Sequence, residues 1–249
     1  MLTKKEILNE VKKQLCKDYN FNIEDFENKN TLITDIKEIK GRRIYKNDKE
    51  ILKILIFEGK AIISADKCIK NWCVENLSNA SGEWLFLYST LRKIDKKLNE
   101  FGYEIDNTHH YYLPCEVHEK TRPIKNIKWY EEDEILQFKG DDRFCEAFAF
   151  EESYKDVLGI SALDEKGNIL AMAGASRDGE NMWQIGINVM EEASGQGIGQ
   201  NIVKLLKEEI LNRGKVPFYG TVESHIISQR VALASGFYPV FAEIKIRKL

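Results

Sequence analysis

Two spacings of apolar residues alternate along this chain, and each switch between them marks an element. Residues 183–190 read as a strand rich in Ile and Val. Residues 191–199 form a turn with glycines at 195, 197 and 199. From residue 200 to 213, Ile202, Val203, Leu205, Leu206, Ile210 and Leu211 repeat at the 3.6-residue period of an amphipathic helix, and Gly214 stands where a left-handed C-cap belongs. In the first half, the capping box Thr3–Glu6 opens a helix over residues 4–17, with Ile7, Val11 and Leu15 on one face. A short strand over 31–39 and two strands within 51–64, joined at Glu58 and Gly59, follow. Asp66 caps a short helix, Leu87, Leu91, Ile94, Leu98 and Phe101 stripe a longer one, and 103–113 is a strand. The second half predicts a strand at 127–130 and a mostly helical stretch over 131–152, broken at Gly140. Strands at 157–163, 169–176 and 182–190, the glycine turn and its helix, and a strand at 216–222 come next. A helix over 226–235 and an edge strand over 239–247 close the chain.

A strand, a glycine turn and a helix start together make an anion site. Glycine lets the backbone bend tightly and come close to a ligand, and the first N–H groups of a helix lack partners and lie at the positive end of its dipole. The stretch therefore has the character of a pyrophosphate cradle. The spacing is G-x-G-x-G and lies late in the chain, so it fits neither the dinucleotide fingerprint nor the Walker pattern. An antiparallel meander ahead of the turn also disfavours a Rossmann fold.

These residues resemble the coenzyme A loop of the GNAT superfamily of N-acetyltransferases, V-x-x-x-x-[RQ]-G-x-G-x-[GA]. Val189, Gly195, Gln196, Gly197, Ile198 and Gly199 fit it, while Ser194 stands where Arg or Gln is usual. A second family motif, N-x-x-[AS]-x-x-x-[YA]-x-x-x-G-F, is met by Ser228, Ala232, Gly236 and Phe237, with His225 in place of Asn. The resemblance covers roughly residues 126–249 and looks like a two-domain bacterial branch. It implies an α/β (α+β) fold, with a GNAT-like mixed sheet flanked by helices at residues 121–249 behind a smaller α/β domain at 1–120 whose role is unknown. It also implies acetyl-CoA as cofactor and transfer of its acetyl group to the amine of a small-molecule acceptor in a ternary complex. Expected at the cofactor are Ile187, Val189, Met190, Ser194, Gly195, Gln196, Gly197, Ile198, Gly199, Gln200 and Ser228. An N–H at or near Val189, where the family's fourth and fifth strands part, is expected to face the thioester. The family's acid is often a Tyr at the position of Ala232, so that role has moved. Its candidates are His225, Tyr219 and Ser228, histidine being the residue type suited to a proton shuttle near neutral pH. A strand Tyr can equally be packing, and a Ser at a helix start a cap. Trp129 and Trp183 are wall or core residues. A non-catalytic acyl-CoA sensor stays open as the rival reading, and a nucleotide or redox domain as a third.

Composition narrows the setting. The chain has 249 residues, 43% of them hydrophobic, which suffices for a packed core. A net charge of −3 implies no general affinity for nucleic acid. No apolar run approaches a membrane span, and the first residues open a helix rather than a leader. Five irregularly spaced cysteines read as reduced thiols, consistent with a cytoplasmic protein; a homodimer is left open. His109, His110, Cys115 and His118 lack the paired spacing of a zinc site, and no metal is expected.

Overall fold

The computed structural model of the chain describes residues 2–44, 50–115 and 120–249. Helix α1 (Lys4–Tyr19) starts at its capping box, where the Thr3 amide donates to the Glu6 carboxylate at 2.8 Å and the Glu6 amide to Thr3 Oγ1 at 3.3 Å. Then come β1 (Leu32–Asp35), β2 (Leu52–Phe57), β3 (Lys60–Ala65), α2 (Lys67–Leu77), α3 (Tyr88–Asn99) and β4 (Tyr103–Pro114). The remaining elements are β5 (Asn126–Glu131), α4 (Glu132–Ile135), β6 (Asp156–Leu163), β7 (Ile169–Arg177), β8 (Met182–Val189), α5 (Ile198–Asn212), β9 (Val216–Val222), α6 (Ile226–Ala234) and β10 (Phe237–Lys248). Contacts divide the chain into two compact units. One holds Met1–Val11, Tyr112–Thr221 and His225–Pro239; the other holds Lys12–Tyr111, Val222–Ser224 and Val240–Leu249.

In the unit that carries the glycine turn, strands lie in the order β9-β8-β7-β6-β5. The four from β5 to β8 are an antiparallel meander, and β9 joins β8 in parallel after the crossover through α5. One face of this sheet is covered by α5, whose Ile198, Ile202, Val203, Leu206 and Ile210 are buried against Ile160, Ala173 and Ile185. Each such side chain contributes roughly 1.5–3 kcal/mol on burial, so the helix that opens at the glycine turn is firmly seated. Tyr130, Ile135, Phe138, Phe144, Phe148 and Met172 pack on the opposite face.

That second face corrects an expectation. Residues 131–152 are not mostly helical: after the single turn of α4 come two short 3-10 turns (Leu136–Phe138 and Asp142–Phe144) and irregular chain. Side chains add acceptors there to the turn bonds that the Ala147 and Phe148 amides make to Phe144 O. Asn188 Oδ1 accepts from the amides of Glu146 and Ala147 at 3.0 and 2.8 Å, and Asp156 accepts from those of Ala149 and Phe150 at 3.2 and 2.8 Å.

In the other unit the order is β1-β3-β2-β10-β4. The expected edge strand at the end of the chain is an interior one. β10 pairs antiparallel with β2, Phe241 opposite Phe57 and Ile244 opposite Ile54, and its other side lies along β4, where Arg247 meets Glu104 at 2.6 Å. Leu52, Ile54, Ile63, Cys73, Ile94 and Leu98 form this unit's core. Under the sheet, buried Arg43 bridges Asp18 at 2.5 Å and Glu243 at 2.6 Å. Burial alone would raise the pKa of Glu243, but Arg43 and Lys53 outweigh it and hold that carboxyl below its usual range. The glycine turn lies in the first unit.

Candidate active site

The turn between β8 and α5 is built to expose its backbone. Ala193 and Ile198 are both buried in the core beneath α5, and the chain from Ser194 to Gly197 is exposed between these two anchors. Gly195 and Gly197 have φ of +74° and +75°, a conformation that costs an L side chain roughly 1–2 kcal/mol. Gly199 serves a different end: a Cβ there would lie 2.8 Å from Val189 Cγ2, so its absence lets the helix start close against β8. The Ser194 amide donates to Glu191 O at 3.1 Å, and the next backbone bond is the first of the helix, from the Asn201 amide to Gly197 O at 3.0 Å. Between them, the amides of Gly195, Gln196, Gly197, Ile198, Gly199 and Gln200 meet no acceptor among the described residues. Three of these N–H groups are in the turn and three in the first turn of the 15-residue helix, the kind of donor set that suits an anion.

Beside this turn the sheet opens. β8 and β9 are in register from Met182 opposite Val216 to Ile185 opposite Tyr219, and their pairing ends there. β7 stays paired with β8 as far as Ala171 opposite Val189, and the Met190 amide continues the ladder to Leu170 O at 2.9 Å. Amides of an antiparallel strand point alternately to its two sides. The amides of Met190, Asn188 and Gly186 therefore face β7, while those of Ile187 and Val189 face the side from which β9 has departed. Of the expected cofactor-binding positions, Met190 and Ser194 have their amides already committed within the protein. Ile187, Val189 and Gly195 to Gln200 do not, among the described residues.

The three candidate proton carriers separate into a pair and a single residue. The Tyr219 hydroxyl and Ser228 Oγ are 2.9 Å apart, joining the end of the β8–β9 pairing to the first turn of α6. Tyr219 is buried with its ring against Phe237, and burial pushes its pKa up, partly offset by the Ser228 hydrogen bond; the charge of Glu146 raises it further. The phenol thus stays protonated and able to donate at neutral pH. Ala232, one helical turn beyond Ser228, is fully buried. His225 stands at the N-cap position of α6 and is exposed; its side chain makes no capping bond, and its carbonyl accepts from the Gln229 amide at 3.1 Å. Trp183 and Trp129 pack into the core under α5.

On the opposite face lies a feature that the motifs do not mark. Gly159, Gly174 and Gly186 stand in register across β6, β7 and β8. A Cβ on Gly174 would meet Ala147 O at 2.0 Å, one on Gly186 would meet Glu146 O at 1.8 Å, and one on Gly159 would meet the Phe148 ring at 2.8 Å. The row lets residues 146–148 lie directly on the sheet, and Asn188 ties them there. Glycine inside a strand pattern is the sequence signal for such an approach. Glu146, carried by this segment, is exposed.

A cavity of about 550 Å³ adjoins the turn at Gly197 and Gln200 and continues along α5 past Asn201, Lys204 and Lys207 to Ser235. It does not reach Tyr219 or the parted end of β8. Lys207 is buried in its wall, its ammonium donating to Ser235 O at 2.6 Å, and burial lowers its pKa. Among the described residues no three His, Cys, Asp or Glu side chains gather as a metal site, and His118 lies outside them. His109 and His110 have separate partners, Asn107 Oδ1 at 2.6 Å and Glu223 at 3.2 Å. No helix among the described residues is long and apolar enough to cross a membrane.

Comparison with known proteins agrees with the motifs. Residues 116–237 match the acetyltransferase (GNAT) family, and the chain carries a domain of that family in its C-terminal half. Comparison with curated proteins gives no match. Among solved structures, the chain is similar to a GNAT-family putative acetyltransferase from Novosphingobium aromaticivorans, at 15% identity and a TM-score of 0.42 over 59% of this chain and 68% of that one. It is also similar to a GNAT-family acetyltransferase from Colwellia psychrerythraea, at 10% identity and a TM-score of 0.44 over 82% and 84%. A third is a phosphinothricin acetyltransferase from Sinorhizobium meliloti in complex with AcCoA, at 22% identity and a TM-score of 0.30 over 37% and 60%.

Proposed function

We propose that this protein is an acetyl-CoA-dependent N-acetyltransferase that moves an acetyl group to the amine of a small-molecule acceptor by direct attack in a ternary complex. The observation that carries this reading is the run of six unpartnered amides from Gly195 to Gln200 beside the point where β8 and β9 part. Acetyl-CoA, when bound, supplies an activated thioester. The loop amides hold the twin phosphates, which fixes the pantetheine arm toward the opening between the strands. There the amide of Val189 or Ile187 donates to the carbonyl oxygen, where negative charge develops as the amine attacks. Tyr219, kept protonated by burial and hydrogen-bonded to Ser228, donates to the departing sulfur. It does from β9 what relatives do with a Tyr at the position of Ala232. His225, exposed at the N-cap of α6, relays the proton lost by the amine. The division into a domain at 1–120 and a transferase domain at 121–249 remains part of this proposal.

A second reading, a non-catalytic acyl-CoA sensor, is favoured by Ala232 and Ser194 standing where relatives carry functional side chains. Thiol release from acetyl-CoA across a panel of amines separates the two. Turnover with any amine supports the enzyme; tight coenzyme A binding without turnover supports the sensor. His225→Ala is expected to slow acetylation severalfold while coenzyme A affinity, measured by calorimetry, stays unchanged. Equal rates in the variant and the wild type would remove His225 from the mechanism.

A further inference from the structure

The two faces of β8 are given to different partners. Trp183, Ile185 and Ile187 face α5, the side on which the glycine turn would hold the phosphates. Gly186 and Asn188 face residues 146–148. An amine that attacks a thioester lying in the gap between β8 and β9 has the first side blocked by the cofactor. It must arrive from the second, past Glu146.

Glu146 is held at that entrance by its backbone. Its amide donates to Asn188 Oδ1 at 3.0 Å, and its carbonyl lies against Gly186, the residue next after the last β8 position paired with β9. Its carboxylate meets no hydrogen-bond donor or cation among the described residues. Its charge adds, after burial, to the raised pKa of Tyr219. The segment that carries it, residues 131–156, has ten carboxylates against three basic side chains, a net charge of −7 in a chain whose total is −3. Two of the three basic groups are spent within it, Arg143 on Asp141 at 2.6 Å and Lys155 on Glu132 at 3.7 Å. Glu131 is in turn paired with Arg213 at 2.6 Å and Asp156 accepts from the amides of Ala149 and Phe150, yet the segment keeps an excess of acid, which favours cations over anions near Glu146.

We propose that Glu146 holds the acceptor, and that the acceptor is a cationic amine, one bearing positive charge besides the nitrogen that is acetylated, such as an aliphatic diamine or polyamine. This rests on the acetyl-transfer reading. The carboxylate pairs with the second ammonium group and sets the free amine over the gap; the proton balance of the transfer is unchanged by it.

The test compares the wild type with Glu146→Gln, using thiol release from acetyl-CoA with 1,4-diaminobutane, with aniline as an amine neutral at assay pH, and with glutamate as an anionic one. The wild type is expected to prefer the diamine. The variant is expected to raise KM for the diamine about 10- to 100-fold, the range of a lost charged hydrogen bond, with kcat, KM for aniline and coenzyme A affinity unchanged. Preference of the wild type for glutamate, or a variant that loses both amines equally or neither, overturns this assignment and leaves the enzyme standing. Coenzyme A binding with no transfer to any amine overturns the enzyme reading and this one with it. A melting temperature within a few degrees of wild type shows that the variant is folded.

Discussion

Gly197→Val is expected to weaken coenzyme A binding on the order of 100-fold in a protein that remains folded. At φ +75° the valine side chain is strained by roughly 1–2 kcal/mol, and the exposed turn relieves that strain by rotating its peptides. Among the described residues nothing lies within 4 Å of the new Cβ, and the buried anchors at Ala193 and Ile198 are untouched. The loss is small against the roughly 5–15 kcal/mol that holds a domain together. It falls on the amides proposed to grip the phosphates, so affinity should drop on the order of 100-fold, about 2.7 kcal/mol. Gly197→Asn is the control, because Asn adopts the left-handed conformation more readily than other side chains and should retain most of the binding. Calorimetric titration with coenzyme A, paired with a thermal melt, reads both effects. Unchanged affinity in the valine variant counts against the cradle.

The second large effect is on rate. Tyr219→Phe keeps the ring against Phe237 and removes only the hydroxyl shared with Ser228. A positioned acid typically contributes about 10²–10⁴-fold, so kcat is expected to fall by about 100-fold or more while the coenzyme A Kd stays near wild type. Stability should change by about 1 kcal/mol, the net value of one hydrogen bond. The split between kcat and Kd decides the role of the phenol. A variant that binds more weakly and turns over normally would make Tyr219 a packing residue.

The glycine turn was the most legible part of this chain, because its chemistry is local. A period-2 run, glycines at 195, 197 and 199 and a period-3.6 run place strand, cradle and helix without reference to anything distant. The strands of the meander and the helices on either side of β9 were legible for the same reason. Two features were not. The segment 131–152 carries acidic, good helix-forming residues, yet it is drawn across the sheet by acceptors on Asn188 and Asp156, the former 41 or 42 positions away from the amides it binds. No local pattern announces such a partner, although Gly174 and Gly186 in mid-strand were a sign that backbone passes close by. β10 has an interior position only because β2 comes to it from nearly 190 residues upstream, and pairing at that range leaves no mark on periodicity. In the site, the hydrogen bond between Tyr219 and Ser228 turns two ambiguous residues into a pair, which spacing alone could not do.

In the proposed function, free backbone amides from Gly195 to Gln200 hold the pyrophosphate of coenzyme A. Amide NMR of the ¹⁵N-labelled protein during a coenzyme A titration tests it most directly, since the amides of Gly195, Gly197 and Gly199 can be followed one by one. All three are expected to move with the same saturation curve, their protons shifting downfield as they gain a phosphate acceptor. Saturable binding of coenzyme A that leaves those three resonances in place, and moves those of Asn201, Lys204 and Ser235 along the neighbouring cavity instead, would contradict it.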